Sequence, residues 1–253
     1  MRIQLIRNAT LKLQIAGRTI LVDPYFAPKF SMPSFTGTSP NPLVELPISQ
    51  SEILRGVELV MVSHLHSDHF DPVAQQALDK GMQIVCQPGD ESTIREVGFR
   101  AVLPLTKTID WRGIQITRRE GSHGLGPVLD EMGQVMGFTL EAPGEPRLYW
   151  TGDTVLYPPI LQTIAAFRPD VIVTHSCGAF WGPDRIVMDD EQTVEVCNAA
   201  PDAVVVATHM DALDHARVDR ARLRAVADEH GVSSLQLRIP NDGETVEVTA
   251  RSK

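Results

Sequence analysis

The sequence is poor in cysteine and has no long apolar segment. Its three cysteines, Cys86, Cys177 and Cys197, are an odd number without CxxC spacing, so we expect buried free thiols in a reducing compartment. No stretch approaches the roughly 20 apolar residues of a membrane-spanning helix. The first residues alternate and carry charges where a signal peptide needs an unbroken apolar stretch. These absences predict a cytoplasmic protein that does not enter a membrane.

The chain also lacks an excess of basic charge. It has 23 lysines and arginines against 32 acidic residues, a formal net charge of −9. Such a protein offers no general attraction to nucleic acid or to an anionic membrane. We therefore expect a small-molecule substrate as the partner. The oligomeric state stays open, a homo-oligomer included.

The order of sequence patterns indicates an α/β protein. Residues 2–24 alternate as strands around a turn at 16–18, and residues 25–47 read as a long loop rich in Pro, Ser and Gly. A short helix is expected after Asp71, closed by Gly81. The second half alternates apolar strands with amphipathic helices, so sheets covered by helices are expected. We see no repeat or linker and predict one domain over residues 1–253.

The strongest signal for function is the sequence His64-Leu65-His66-Ser67-Asp68-His69, which directly follows the apolar strand LVMVS. In an extended segment alternate residues share a face, so His64 and His66 can converge on one point. Asp68 and His69 then lie at the turn and can face a second point nearby. Four ligand-type side chains in six residues predict binding of zinc, iron or manganese.

Three later strands end in the same way, with a ligand-type residue just beyond them. His123 follows ITRREGS, Asp153 follows RLYWTG and His209 follows AVVVAT. Sites in α/β proteins gather beyond the carboxyl ends of strands, where loops bring distant residues together. Each residue alone is more often structural, but together with the 64–69 cluster they complete a set for two metals.

The motifs HLHSDH, SHG, TGDT and ATH, in this order, resemble the HxHxDH…H…D…H signature of the metallo-β-lactamase superfamily. The resemblance covers nearly the whole chain, and HLHSDHFDP is similar to the ascorbate-6-phosphate lactonase-like subgroup. It implies a four-layer αββα sandwich with the metals at one edge of the paired sheets.

The resemblance further implies the ligands of a two-metal centre. His64, His66 and His123 would bind one metal, and the second would take the remaining set with a bridging aspartate. That remaining set is Asp68, His69, His209 and the bridging Asp153. Two divalent ions, zinc before manganese or iron, would activate a bridging hydroxide that cleaves a small ester, lactone, amide or phosphoester.

Further residues are candidates for supporting roles. Asp71 either orients a ligand histidine or caps the following helix. We expect Asp68 and His215 to take part in catalysis, His215 by protonating a leaving group or binding substrate; a surface position for His215 is the alternative. The candidates for the substrate pocket are Phe35, Tyr157, His175, Phe180, Trp181 and Arg185. For the aromatic residues Phe180 and Trp181, core packing is the competing interpretation.

Three other functions compete with hydrolysis of a small molecule. An iron-dependent oxidoreductase on the same fold is one, although the mononuclear dioxygenases use only part of a ligand set that is filled here. A nuclease is disfavoured by the acidic charge and by the short segment between Asp153 and His209. A catalytically silent metal-binding scaffold is the alternative from outside the enzymes.

Overall fold

The computed structural model describes residues 1–250, and over them 16 strands and seven helices form. The strands are β1 (Arg2–Arg7), β2 (Thr10–Ile15), β3 (Arg18–Val22), β4 (Leu59–Val62), β5 (Gln83–Cys86), β6 (Ala101–Pro104), β7 (Thr108–Trp111), β8 (Ile114–Glu120), β9 (Met136–Glu141), β10 (Leu148–Trp150), β11 (Val171–His175), β12 (Phe180–Trp181), β13 (Asp184–Arg185), β14 (Val204–Thr208), β15 (Leu237–Arg238) and β16 (Thr245–Glu247). The helices are α1 (Gln50–Leu54), α2 (Pro72–Ala77), α3 (Glu91–Glu96), α4 (Leu129–Met132), α5 (Pro158–Phe167), α6 (Asp190–Ala199) and α7 (Arg220–Glu229).

Two seven-stranded sheets carry the fold. The first has the order β16-β1-β2-β3-β4-β5-β6, and the second has the order β15-β14-β11-β10-β9-β8-β7. Strands β3 to β6 run parallel, as do β10, β11, β14 and β15. The carboxyl ends of parallel strands meet at one edge of each sheet, which is where the loops with the predicted ligands begin.

The two sheets pack face to face and are covered by helices on their outer faces. Side chains of both sheets share one buried core, in which Phe138 stacks on Trp150 with ring centroids 4.9 Å apart. Burying each such ring stabilises the fold by about 1.5–3 kcal/mol. Separate cores lie beneath α1–α3 on the first sheet and beneath α5–α7 on the second. The four-layer αββα sandwich is therefore confirmed, and it is the metallo-β-lactamase fold.

Two local expectations differ from the structure. Helix α2 ends at Ala77, before the expected Gly81, because Leu78 turns into an extended conformation and buries its side chain in the core of the first sheet. Helix α5 was not predicted, since it opens with Pro158 and Pro159. Proline is tolerated in a first helical turn, where its missing N–H has no intrahelical partner.

The 25–47 loop is irregular, as expected, with an isolated bridge between Met32 and Asn41. Asp214, in the loop after β14, accepts hydrogen bonds from Ser34 Oγ, from the Phe35 N–H at 3.0 Å and from Asn41 Nδ2 at 2.9 Å. This one carboxylate therefore ties the middle of the loop to the second sheet. Across residues 1–250, none of the helices has the length and apolarity of a membrane span.

Candidate metal centre

The turn after β4 brings four ligand-type residues into the interior. His64, Asp68 and His69 are buried, and His66 is partly buried. The turn is fixed by the His69 N–H, which donates to the His66 carbonyl at 3.0 Å, and by Asp71 at the start of α2. The side chains therefore share a small volume at the edge of the first sheet.

The second sheet supplies the remaining predicted residues. His123 follows β8, Asp153 follows β10 and His209 follows β14, and all three are buried. His209 has a positive φ of 66°, an uncommon conformation for a residue with a side chain, which functional sites often retain. The structure thus brings all seven predicted ligand residues together across the edge of both sheets.

The seven side chains fall into two groups with Asp153 between them. His64, His66 and His123 form one group, and Asp68, His69 and His209 form the other. Within each group the candidate ligand atoms lie within 4.8 Å of one another. Asp153 Oδ2 lies 3.4 Å from His123 Nε2 in the first group and 3.2 Å from His69 Nε2 in the second.

These separations fit a metal centre. His123 Nε2 lies 3.3 Å from His66 Nδ1, and His209 Nε2 lies 3.2 Å from both His69 Nε2 and Asp68 Oδ2. Ligands at about 2.0–2.1 Å in a tetrahedron around one ion are about 3.4 Å apart. The donors are nitrogen and oxygen atoms, which suit zinc, manganese and iron.

Hydrogen bonds also hold three imidazoles with the Nε2 atom towards the centre. The Nδ1–H of His69 donates to Asp23, that of His123 donates to the Ile186 carbonyl, and that of His64 donates to Ser63 Oγ, at 2.8, 2.8 and 2.9 Å. A histidine whose Nδ1 carries the proton presents the Nε2 lone pair to a metal. His64 Nε2 is buried and has no hydrogen-bond partner among the described residues.

The first group is electrically neutral in this environment. Burial lowers the pKa of His64 well below its usual value, and the neighbouring His69 and His66 lower it further. Burial likewise lowers the pKa of His123 to about 4, with Asp153 opposing the shift. Neutral imidazoles are the form that binds a metal, so this group is prepared for a cation.

Two carboxylates, Asp68 of the second group and the shared Asp153, ionise despite their burial. Burial opposes the ionisation of Asp153, but His209 and His69 outweigh it and hold the pKa of Asp153 well below its usual range. The same balance holds for Asp68, where His69 is the largest opposing influence. The two buried carboxylates supply negative charge that a pair of cations would neutralise.

Asp23 is a supporting residue that the sequence did not reveal. It follows β3, is fully buried, and accepts hydrogen bonds from His69 Nδ1, from the Ser63 N–H at 2.7 Å and from Ser63 Oγ at 2.6 Å. A carboxylate behind a ligand histidine fixes the orientation of its ring and raises its basicity. Its position after an apolar strand is the signal that could have found it.

Asn8 is a second residue that sequence reasoning missed. It lies in the turn between β1 and β2, and its Nδ2 donates to the Asp68 carbonyl at 3.1 Å. The backbone carbonyl of Asn8 accepts a hydrogen bond from the backbone N–H of His209 at 3.0 Å. Asn8 therefore connects two candidate ligand residues that are far apart in the sequence.

His175 and Asp71 have distinct supporting positions. His175, predicted as pocket lining, is fully buried behind Asp153, and its Nδ1–H donates to Asp153 Oδ1 at 2.5 Å. Asp71 caps α2 by accepting from the N–H groups of Val73 and Ala74, and it also accepts the Phe26 N–H at 2.7 Å. The helix-cap interpretation of Asp71 therefore applies.

A cavity of about 290 Å³ opens onto the centre. It is lined by ligand-type residues and by apolar side chains, with one further carboxylate. Its lining residues are Phe35, His66, Ser67, Asp68, His123, Glu131, Met132, Asp153, Trp181, Ile186 and His215. The cavity is large enough for a small organic molecule and lies directly beside both groups.

Four of the predicted pocket and catalytic residues line this cavity. They are Phe35, Asp68, Trp181 and His215. The rings of Phe35 and His215 meet edge to face, with centroids 4.9 Å apart. Burial lowers the pKa of His215, and its Nδ1 has no hydrogen-bond partner within residues 1–250.

Three other candidates lie outside the cavity as the described residues form it. Tyr157 precedes α5 and packs against the core of the second sheet. The guanidinium of Arg217 lies over the ring of Phe180, 3.7 Å from the ring centroid. Arg185 forms an ion pair with Asp189 at 2.5 Å. For these three, contacts elsewhere account for the positions of the side chains.

The three cysteines are buried and free, as the sequence predicted. Burial raises the pKa of Cys86 and of Cys197 to about 12. Both thiols therefore stay protonated at neutral pH and have a packing role.

Comparison with known proteins relates the whole chain to one superfamily. Residues 18–210 match the family model described as the beta-lactamase superfamily domain. UPF0173 protein YddR of Bacillus subtilis is 37% identical over 258 residues, which covers 97% of this chain and 99% of that protein.

Two solved structures are similar over nearly the full length. A possible metal-dependent hydrolase from Veillonella parvula is 33% identical with a TM-score of 0.93, and 98% of this chain and 99% of that chain are covered. An isothiocyanate hydrolase from Delia radicum gut bacteria is 34% identical with a TM-score of 0.94, and the coverage is 99% and 100%.

Proposed function

This chain belongs to the β-lactamase superfamily and is a metal-dependent hydrolase, and from that premise we propose that it hydrolyses small uncharged electrophiles at a centre of two divalent metal ions. The observation that carries the proposal is the pair of ligand groups that share Asp153, beside a cavity of about 290 Å³. Zinc is the first metal to test, followed by manganese and iron.

The residues divide the work between holding metal and handling substrate. His64, His66 and His123 would hold one ion, and Asp68, His69 and His209 the other, with Asp153 between them. Bound there, the two ions would lower the pKa of a shared water towards about 7 and polarise the atom under attack. Asp23 and His175 keep His69 and Asp153 in position through their hydrogen bonds.

His215 is the residue we propose for proton transfer. It lines the cavity, and its Nδ1 has no partner among residues 1–250. This nitrogen can hold the proton that a leaving group must receive. Phe35 packs edge to face against the imidazole.

Isothiocyanates are the substrate class that we propose first. The similarity to the isothiocyanate hydrolase extends over the whole chain at 34% identity. In such a hydrolysis, the oxygen of water adds to the central carbon, both protons of that water pass to the nitrogen, and the bond between nitrogen and that carbon breaks. R–NCS and H₂O then give R–NH₂ and carbonyl sulfide, so all atoms balance and no oxidant is consumed.

Esters and lactones are the second class, and phosphoesters are less favoured. Membership of the ascorbate-6-phosphate lactonase-like subgroup stays a prediction, and such a substrate would bring a phosphate into the cavity. Among the described residues that line it, none is lysine or arginine, the side chains that usually bind phosphate.

The net charge of −9 supports a small molecule over nucleic acid as substrate. The buried free thiols support a cytoplasmic location.

The proposal is tested by metal depletion and reconstitution. We expect dialysis against a chelator to abolish turnover of benzyl isothiocyanate, and zinc to restore it. Turnover is followed by the loss of isothiocyanate absorbance and by the primary amine formed. Asp68→Ala should lower kcat/KM by at least about 100-fold because it removes a ligand. Glu96→Ala, at an exposed position at the end of α3, serves as the matched control.

Two results would contradict the proposal. Binding of metal without turnover of any isothiocyanate, ester or lactone would favour the silent scaffold. Bound iron with consumption of oxygen would favour the oxidoreductase.

A further inference from the structure

The outer wall of the cavity is formed by a contact between two residues that are distant in sequence. Trp181 is at the tip of the β12–β13 hairpin, and Glu131 is on α4, and both line the cavity. The indole Nε1–H of Trp181 donates to Glu131 Oε2 at 2.6 Å. Both side chains are exposed, so this contact lies where the cavity meets solvent.

The contact leaves an apolar surface facing the cavity. Because the N–H of Trp181 is taken by Glu131, the indole offers its ring and no donor to a bound molecule. Three further apolar side chains, the buried Met132 and Ile186 and also Phe35, line the same cavity. Aromatic and alkyl groups gain affinity from such a surface.

The charge of the wall disfavours anions. Three carboxylates line the cavity, and two of them, Asp68 and Asp153, belong to the ligand groups. Glu131 is the third carboxylate, and no lysine or arginine among the described lining residues balances its negative charge. The nearby Arg185 is paired with Asp189, and Arg217 covers Phe180.

From these contacts we propose that the Trp181–Glu131 pair forms a substrate subsite that accepts an uncharged apolar substituent and rejects an anionic one. The inference rests on the proposed function, because it concerns the substituent of the same substrate. Glu131 determines specificity through its charge, and Trp181 provides the contact surface.

The charge of Glu131 is tested with two substrates of similar shape. Phenyl isothiocyanate with a para sulfonate is anionic, and its para methylsulfonyl counterpart is neutral. We expect wild type to favour the neutral compound. Glu131→Gln removes the charge but can still accept the indole hydrogen bond. In this variant we expect the ratio of kcat/KM for the sulfonate to kcat/KM for the sulfone to rise about three- to tenfold. That is the effect expected of one charge at the edge of solvent. Because this ratio is compared between variants, the different reactivity of the two compounds cancels.

Two controls separate charge from structure. Asp130→Asn changes the adjacent exposed carboxylate, which does not line the cavity as described, and should leave the ratio unchanged. The preference of wild type for the neutral sulfone over the sulfonate should weaken as the salt concentration is raised from about 50 to 500 mM, because screening reduces the effect of an exposed charge. Trp181→Ala should raise the KM for the sulfone about three- to tenfold, more than it lowers kcat.

The outcomes keep the two proposals distinguishable. An unchanged ratio in Glu131→Gln, or an equal rise in Asp130→Asn, overturns the inference while turnover of the sulfone still supports the hydrolase. If wild type turns over neither compound, the assignment of isothiocyanates as substrates fails. Binding then decides the inference, with p-toluenesulfonate and methyl p-tolyl sulfone measured by saturation-transfer NMR on the zinc-loaded protein. Preferential binding of the sulfone that Glu131→Gln removes supports it, and equal binding of both ligands overturns it.

Discussion

At the scale of single residues, the structure assigns Asp23 a role in metal affinity. Its carboxylate accepts the His69 Nδ1–H at 2.8 Å in a fully buried position. We expect Asp23→Asn to weaken metal binding about 10- to 100-fold, as is typical of carboxylates behind ligand histidines. Asparagine tolerates the positive φ of 45° at this position, so the fold should persist.

Metal affinity of this variant is measured by competition with a coloured chelator. Asp79→Asn is the control, at an exposed site where the carboxylate accepts the Gly81 N–H. Wild-type affinity in Asp23→Asn would contradict the assigned role.

The hydrogen bonds that Asp214 accepts from the 25–47 loop make a contribution to stability that depends on pH. Burial opposes the ionisation of Asp214, but hydrogen bonds from Ser34, Thr36 and Asn41 outweigh it and hold its pKa well below the usual value. A depressed pKa means that the stabilisation is complete above the unfolded-state pKa of about 3.9 and is lost as the pH falls further.

Asp214→Asn should therefore lower the free energy of unfolding by about 1 kcal/mol at pH 7. The difference from wild type should stay constant between about pH 5 and 7 and narrow near pH 3.5. Urea unfolding at each pH measures it, with Asp130→Asn as the control. A difference that grows on acidification would refute the tethering by the carboxylate.

At the scale of elements, the turn after β10 depends on a glycine. Gly152 precedes Asp153 with a positive φ of 73°, and an added Cβ would lie 2.9 Å from the Met136 carbonyl oxygen and 2.7 Å from the Trp150 ring. The carbonyl belongs to a sheet and cannot yield easily. We expect Gly152→Ala to displace Asp153.

This substitution should lower kcat/KM at least about tenfold, because small displacements of catalytic groups have large effects on rate. Gly144→Ala is the matched control, since its φ of 78° is equally strained and nothing lies within 4 Å of the added Cβ. Equal loss of activity in both variants would show that the close approach at Gly152 is unimportant.

The elements also show why sequence reasoning found some residues and missed others. The ligand-type residues each follow an apolar strand, a local pattern that the sequence displays. Asp23 also follows an apolar strand, a signal that was overlooked, but its partner His69 is 46 positions away, and Asn8 acts on a residue 60 positions away. Local patterns do not contain such contacts. Glu131 was missed for the same reason, because its partner Trp181 is 50 positions away. Tyr157 and Phe180 follow functional segments but pack elsewhere, since nearness in sequence does not fix the direction of a side chain.

At the scale of the whole molecule, the centre joins the two sheets. The turn with His64 and His69 belongs to the first sheet, whereas His123, Asp153 and His209 belong to the second. A metal ion bound by residues of both sheets would therefore stabilise the folded state, by about 4 kcal/mol at a free metal concentration 1,000 times the dissociation constant.

For a protein of this size such a gain raises Tm by about 8–16 °C. We expect zinc to produce this shift in the metal-depleted protein and a clearly smaller one in Asp153→Ala, with Glu96→Ala behaving as wild type. Differential scanning calorimetry measures it. Equal shifts in wild type and Asp153→Ala would mean that the metal binds elsewhere.

The central claim is that residues from both sheets hold two metal ions about Asp153. Anomalous diffraction at the zinc edge, from crystals grown with zinc, tests it most directly. We expect two peaks, one among His64, His66 and His123 and one among Asp68, His69 and His209, with Asp153 beside both. A single peak, or peaks away from these side chains, would contradict it.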